Sequence, residues 1–285
     1  MQWLLNGKTL SFEQPVIIGI LNITPDSFSD GGKHFNKGRI DMKKAISKAK
    51  KMINEGAAII DVGGESSRPG SDPVSEEEEL RRVLPIIIEI AKLDTIISID
   101  TTKPAVADTC ISAGAHIIND ITGFTNQKMI NVAKKYAKQG IGCIVMHMKG
   151  NPKTMQQNVQ YDDVVEEVYQ FLKKQVIMLK KQGIKHIMID PGIGFGKEVR
   201  HNLLLLKNIN RFKPLNRPIL IGASKKSFIG KIINTDIDDR LSGSIAVNIA
   251  AIHAGADAIR VHDVKEHAQA MKMFQALQNA GKDEE

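Results

Sequence analysis

Short apolar runs, each ending in polar residues, recur along the whole chain. Val16 to Leu21 ends at Asn22, Ile59-Ile60 at Asp61, Ile96 to Ile99 at Asp100, and Ile117-Ile118 at Asn119-Asp120. Ile144 to Met146 ends at His147, and Ile187 to Ile189 ends at Asp190. Ile219 to Ile221 ends at Gly222-Ala223-Ser224-Lys225-Lys226, and Ala258-Ile259 runs into Arg260-Val261-His262-Asp263. The runs are too short for buried helices and rich in Ile and Val, which predicts strands buried on both faces. Helically spaced segments separate them. One covers about 41–55, one opens at the capping box Ser75-Glu76-Glu77-Glu78, and one starts at Pro104. Others cover about 161–182, 202–212, 239–254 and 264–281. Alternating strand and helix predicts a parallel sheet. Eight such units predict an α/β fold, a closed (β/α)8 TIM barrel. An open doubly wound sheet is the alternative, which strand count and length disfavour. In the barrel all strand C-termini share one mouth, where active sites sit.

Before the first of these strands, residues 1–14 read as a β-hairpin, with Asn6-Gly7 as the turn between Trp3-Leu4-Leu5 and Thr9-Leu10-Ser11-Phe12. Such a hairpin can plug the barrel floor. A chain of 285 residues suits a single barrel of about 250 residues, so residues 1–285 are expected to form one domain with a frayed tail at 282–285. No apolar stretch reaches the length of a membrane span. Met1-Gln2-Trp3-Leu4-Leu5 lacks the basic-then-apolar layout of a secretory leader. The cysteines, Cys110 and Cys143, show no metal spacing. A cytoplasmic protein with no membrane partner is expected. The net charge of +7 (39 basic minus 32 acidic) suits an anionic ligand. The basic residues are mostly lysines spread along helices, with no arginine-rich arm or basic-aromatic patch, so no nucleic-acid partner is expected.

The polar endings carry the candidate chemistry. Asn22 stands where a strand meets the mouth, and an amide oxygen there can ligate a hard cation such as Mg²⁺. The long turn-rich segment after it, with Phe28, and the glycine-rich segment Asp61 to Gly70 read as binding loops. Arg68 offers a planar fork to phosphate. Asp100 and Asn119, from adjacent strands, suit a polar heterocycle; alone, each is equally consistent with helix capping. His147 reads either as an acid or base or as a hydrogen-bonded structural histidine, and Met146 as a pocket wall. Arg260 and His262, two apart and so on one strand face, form a phosphate clamp at the fold's usual phosphate site. The segment 239–254 is rich in small residues (Ser242, Gly243, Ser244, Ala246, Ala250). That permits close packing on the barrel or against a second subunit, so a homodimer through the C-terminal helices is expected.

Taken together, these endings resemble the dihydropteroate synthase family, folate-pathway enzymes that carry a pterin site in a TIM barrel. The resemblance spans Gly19 to Gly32, Asp61 to Gly70, Asp190 to Lys197, Ser224 to Ser227 and Arg260 to Val264. The family joins 6-hydroxymethyl-7,8-dihydropterin diphosphate to 4-aminobenzoate and releases pyrophosphate. The resemblance implies that Asp100, Asn119, Asp190, Gly222 and Lys226 hold the pterin, with Met146 in the wall. It implies Asn22 as the contact to Mg²⁺ on the diphosphate, and Arg68, Arg260 and His262 on the diphosphate oxygens. Phe28, Ser67, Pro69, Phe195, Ser224 and Lys226 would shape the 4-aminobenzoate site, where sulfonamides would compete. Asp100, Arg68 and Lys226 are the residues implied in catalysis. Ser67 stands where Thr is usual and Lys225 where Arg is usual. Ser67 keeps the hydroxyl; Lys225 keeps charge and loses the fork. A corrinoid methyltransferase of the pterin-binding kind, or a non-catalytic pterin-binding relative, are the rival readings. The loop of Ser27 to Gly32, with Arg68, Arg260 and His262, favours the synthase. Arg68→Ala is expected to cut turnover heavily while a direct pterin titration stays unchanged, because loop closure rather than pterin grip is lost.

Overall fold

The computed structural model describes residues 1–24, 41–66, 70–150, 154–155 and 159–281. The tail expected to fray, 282–285, lies outside them. The expected hairpin forms from β1 (Gln2–Leu5) and β2 (Lys8–Ser11). Its turn residues Asn6 and Gly7 both take positive φ, 43° and 86°, the conformation that lets a two-residue turn follow strand twist.

The barrel follows in order: β3 (Val16–Asn22), α1 (Met42–Asn54), β4 (Ile59–Gly63), α2 (Glu76–Ile90), β5 (Ile96–Asp100), α3 (Pro104–Ser112), β6 (Ile117–Asp120) and α4 (Gln127–Tyr136). Then come β7 (Gly142–Met146), α5 (Val164–Lys181), β8 (His186–Asp190), α6 (Val199–Lys207), β9 (Leu220–Ile221), α7 (Ser227–Ile233), α8 (Leu241–His253), β10 (Ala258–Val261) and α9 (Val264–Asn279). The parallel sheet runs β8-β7-β6-β5-β4-β3-β10-β9. A parallel bridge between Ile189 and Ile219, with the Ile189 amide donating to the Pro218 carbonyl at 2.9 Å, closes the ring between β8 and β9. The chain is therefore a (β/α)8 barrel, as its pattern predicted. Among the described residues, no helix is long and apolar enough to cross a membrane.

Two helical expectations change. The stretch 202–212 is not one helix. The Asn208 side chain donates to the Leu204 carbonyl at 2.8 Å, ending α6, and the chain tightens into 3-10 turns over Ile209–Leu215. A helix the sequence pattern does not predict, α7, follows Lys226; at seven residues it is too short to display a helical period.

Side-chain parity organises the interior. One residue from each strand forms the floor layer: Ile18, Ile59, Ile96, Ile117, Ile144, Met188, Leu220 and Ala258. Trp3, Leu5, Leu10 and Phe12 of the hairpin pack on that layer from below, with Trp3 and Phe12 edge-to-face at 5.1 Å. The intervening residues, such as Ile17, Ile60, Ile97 and Ile187, face outward into the larger core shared with the helices. Because strand side chains alternate, the residues two beyond the floor layer point inward one level higher. These are Asp61, Ser98, Asn119, Met146, Asp190, Gly222 and Arg260, together with Ile20.

Candidate active site

This second layer is a polar ring on an apolar floor. Arg260 donates from Nε to Asp61 Oδ2 at 2.6 Å and from Nη2 to Asp100 Oδ2 at 2.7 Å. Asp61 Oδ2 also accepts from Asn119 Nδ2 at 3.0 Å. Four strand ends are thus tied by one guanidinium and one amide. Asp61 is fully buried, and its Oδ1 has no hydrogen-bond partner. Burial, with the nearby carboxylates of Asp61, Glu79 and Asp120, holds the Asp100 carboxyl above the usual range, and Arg260 opposes the shift.

Across the ring, Asp190 Oδ1 accepts the Gly192 amide at 2.7 Å. Its carboxyl is also pushed up by burial, against the pull of Lys226, Lys197 and Arg260. The Lys226 ammonium lies 4.0 Å from the centre of the Phe195 ring. Burial, and then Arg260, bring Lys226 down to about 8. A side chain at Gly222 would lie 3.8 Å from Asp190 Oδ2 and 4.0 Å from the Arg260 Cβ. Its absence leaves room between the two. Met146 packs with Ile121, Met155 and Phe195 into an apolar wall.

The next level carries Asn22, Asp100, Ser224 and His262, with Asp100 reaching down to Arg260 in the ring. A Cβ on Gly63 would sit 3.7 Å from Asn22 Oδ1 and 3.6 Å from Asp100 Oδ2, so both oxygens gather over that glycine. The Ser224 hydroxyl meets His262 Nδ1 at 3.0 Å. Burial, reinforced by Arg260 and Lys225, pushes His262 down to about 3, so its ring is neutral at neutral pH. Lys225 takes a left-handed φ of 56° and pairs with Asp263 at 3.0 Å.

The structure therefore brings Asn22, Asp100, Asn119, Met146, Asp190, Gly222, Phe195, Ser224, Lys226, Arg260 and His262 to the strand C-termini. Phe28, Ser67, Arg68 and Pro69 lie outside the described residues. His147 is the structural alternative: it is buried, its Nδ1 sits 3.0 Å from the Lys197 ammonium, and burial and Lys197 push it down to about 3. Two features escaped the sequence reading. Asp61 sits two residues past floor residue Ile59, as Asp190 sits two past Met188, so strand parity alone marks it as inward. Lys103 pairs with Glu65 and, at 2.5 Å, with the fully buried Glu79, which anchors the start of the glycine-rich loop. That pairing crosses 24 residues and carries no local sequence signal. Among the described residues, no three His, Cys, Asp or Glu side chains are grouped to hold a metal.

Comparison with known proteins bears on the family and the fold. Residues 18–262 match the model of the pterin binding enzyme family. The chain is 46% identical to the dihydropteroate synthase of Escherichia coli strain K12 over 283 residues, covering 98% of each. It superposes on the Yersinia pestis dihydropteroate synthase, solved with a sulfonamide drug, with TM-score 0.89 and 41% identity over 98% of this chain and 100% of that one. It superposes equally, with TM-score 0.89 and 36% identity over 97% and 98%, on the Xanthomonas albilineans dihydropteroate synthase solved with 4-aminobenzoic acid.

Proposed function

This chain belongs to the dihydropteroate synthases, pterin-binding transferases, and from that premise we propose that it joins 6-hydroxymethyl-7,8-dihydropterin diphosphate to 4-aminobenzoate by a dissociative substitution. The observation that carries the proposal is the inward ring of Asp61, Asp100, Asn119, Asp190, Lys226 and Arg260. A pterin edge presents N–H donors and a carbonyl. Asp190 and Asn119 supply acceptors, and Lys226 supplies a charged donor. Arg260 spends Nε and Nη2 on Asp61 and Asp100. Nη1 is the nitrogen those carboxylates do not engage, and it faces the role of phosphate donor beside His262.

As the C–O bond to the diphosphate breaks, the methylene carbon becomes a cation conjugated with the pterin. Asp100 and Asp190 stabilise it, and the growing positive charge favours their ionised forms against burial. The arylamine attacks without a strong base, being nucleophilic already. His262, neutral and joined to Ser224, serves as a hydrogen-bond donor to the departing oxygens. Exclusion of water that would trap the cation is the role expected of the segments of Phe28 and of Ser67 to Pro69, which lie outside the described residues.

Magnesium fits this mouth as an ion carried in on the diphosphate. Asn22 Oδ1 is a hard oxygen at the rim beside Asp100, and Mg²⁺ is held through few protein oxygens plus substrate phosphates. Bound there, it would neutralise charge on the leaving diphosphate. By the same reading, sulfonamides compete with 4-aminobenzoate against Phe195, Ser224 and Lys226.

Pterin binding is expected to weaken as pH rises through about 8, where Lys226 loses its charge. Folding stability moves the other way. An unfolded Lys keeps its proton to about 10.4, so the depressed native value makes the fold gain stability between those limits. Titrating the pterin substrate calorimetrically from pH 6 to 10 checks this. Lys226→Met is expected to bind weakly and without the alkaline limb; an unchanged limb counts against Lys226 as donor.

We also propose a homodimer through the C-terminal helices. On α8, Ser242, Ala246 and Ala250 are exposed one turn apart, while Ser244, Asn248 and Ala251 face inward. On α9, Met273 and Leu277 are 59% and 63% exposed. Light scattering at micromolar concentration is expected to give twice the chain mass. A monomer mass would remove the dimer.

A further inference from the structure

The turn after β8 converges on a single buried cation. Lys197 is 2% exposed, and its Nζ donates to the carbonyls of Gly192 and Phe195, both at 2.9 Å. The same ammonium reaches His147 Nδ1 at 3.0 Å and the His147 carbonyl at 3.3 Å. Its three N–H groups are thus filled by partners on the turn itself and on the end of β7. Gly192 has φ of 71°, and a Cβ there would stand 1.9 Å from the His147 carbonyl oxygen, so only glycine allows the turn to come this close. The Asn202 side chain accepts the Gly194 amide at 2.7 Å, and the Tyr161 hydroxyl donates to the Gly196 carbonyl at 2.9 Å, closing the turn from outside.

Phe195 sits inside this cage by its carbonyl, and its ring faces Lys226 at 4.0 Å. We infer that Lys197 is a positioning residue for the reaction, one that clamps the 190–197 turn so that the Phe195 ring stands as a fixed wall of the arylamine subsite beside Lys226. Without the ammonium, the buried Phe195 carbonyl loses its Lys197 donor, whereas the Gly192 carbonyl keeps the Phe195 amide at 3.1 Å, so the turn must rearrange at Phe195 to reach water or another donor. Asp190, whose Oδ1 holds the Gly192 amide, anchors the other end of the turn. The first consequence therefore falls on Phe195, and the pterin floor formed by Asn119 and Asp100 is spared. Burial brings Lys197 down to about 7, and the nearby Asp190 carboxylate opposes that shift.

The inference rests on the synthase reading, so wild-type turnover is measured first; no turnover there sinks that reading, and with it the subsite. Lys197→Met keeps the apolar stem and removes the donors. It is expected to raise the KM for 4-aminobenzoate about tenfold, with kcat and the pterin KM within about threefold. The same substitution in a Phe195→Ala background is expected to add less than about twofold, because the ring it positions is gone. A purely structural role would instead lower thermal stability and shift kcat and both KM values together. That pattern overturns the inference, as does a full tenfold effect in the Phe195→Ala background. Should Lys197→Met not fold, Lys197→Gln, which keeps a shorter donor, carries the same comparison, and unchanged 4-aminobenzoate kinetics in it overturn the inference.

Discussion

Replacing Arg260 with methionine is expected to give the largest single loss in this protein, in both stability and turnover. Its guanidinium is the shared partner of Asp61 and Asp100, at 2.6 and 2.7 Å. Asp61 is fully buried, so the variant strands a carboxylate away from water. Removing one partner of a buried ion pair costs about 3–5 kcal/mol, and Asn119, which donates to the same Asp61 oxygen, loses its fixed position. Turnover is expected to fall by at least about 10³-fold, the scale of losing a preorganised charge at a developing anion. The stability deficit has a predictable pH dependence. With the cation gone, burial raises the Asp100 carboxyl further, and a native acid with a raised pKa adds stability as pH falls. Denaturant unfolding at pH 7 and pH 5 is therefore expected to show a smaller deficit at pH 5. A deficit independent of pH would mean that packing, and not charge, is what Arg260 supplies. Arg260→Lys keeps charge without the fork that spans two carboxylates, so it is expected to recover only part of the loss.

The second large effect is on the chemical step alone. Asp100→Asn keeps size and keeps an oxygen that can accept from Arg260 Nη2, so folding is expected to change by less than about 1 kcal/mol. What disappears is negative charge beside the carbon that becomes cationic. A fall in kcat of about 10²–10³-fold is expected, with the pterin Kd weakened by less than about tenfold. That split distinguishes transition-state stabilisation from grip on the ground state. Raised KM with unchanged kcat would assign Asp100 to uniform binding.

Most of the architecture was legible in the chain, and the reason is parity. Ile-rich runs ending in Asn, Asp, His or Arg give both the strands and the end at which they emerge. Once Met188 is placed in the floor, Asp190 must point into the mouth, and the same step from Ile59 reaches Asp61. Asp61 was passed over because its partner Arg260 is 199 residues away, and pairing across the ring has no periodicity to read. Lys197 was hidden differently: a lysine after a glycine-rich turn reads as solvated, and only the fold shows its ammonium enclosed by carbonyls. Helix α7 was missed because seven residues do not complete a readable amphipathic pattern. The pairing of Arg260 with two carboxylates also modifies the phosphate clamp read from its spacing with His262, since two of its nitrogens are committed inside the ring.

The most direct measurement of the central claim is pyrophosphate release from 6-hydroxymethyl-7,8-dihydropterin diphosphate, followed with and without 4-aminobenzoate and with and without magnesium. Release that requires magnesium, and that 4-aminobenzoate accelerates as dihydropteroate forms, is the expected result. No release when both are present, or methyl transfer from methyltetrahydrofolate in its place, would contradict it.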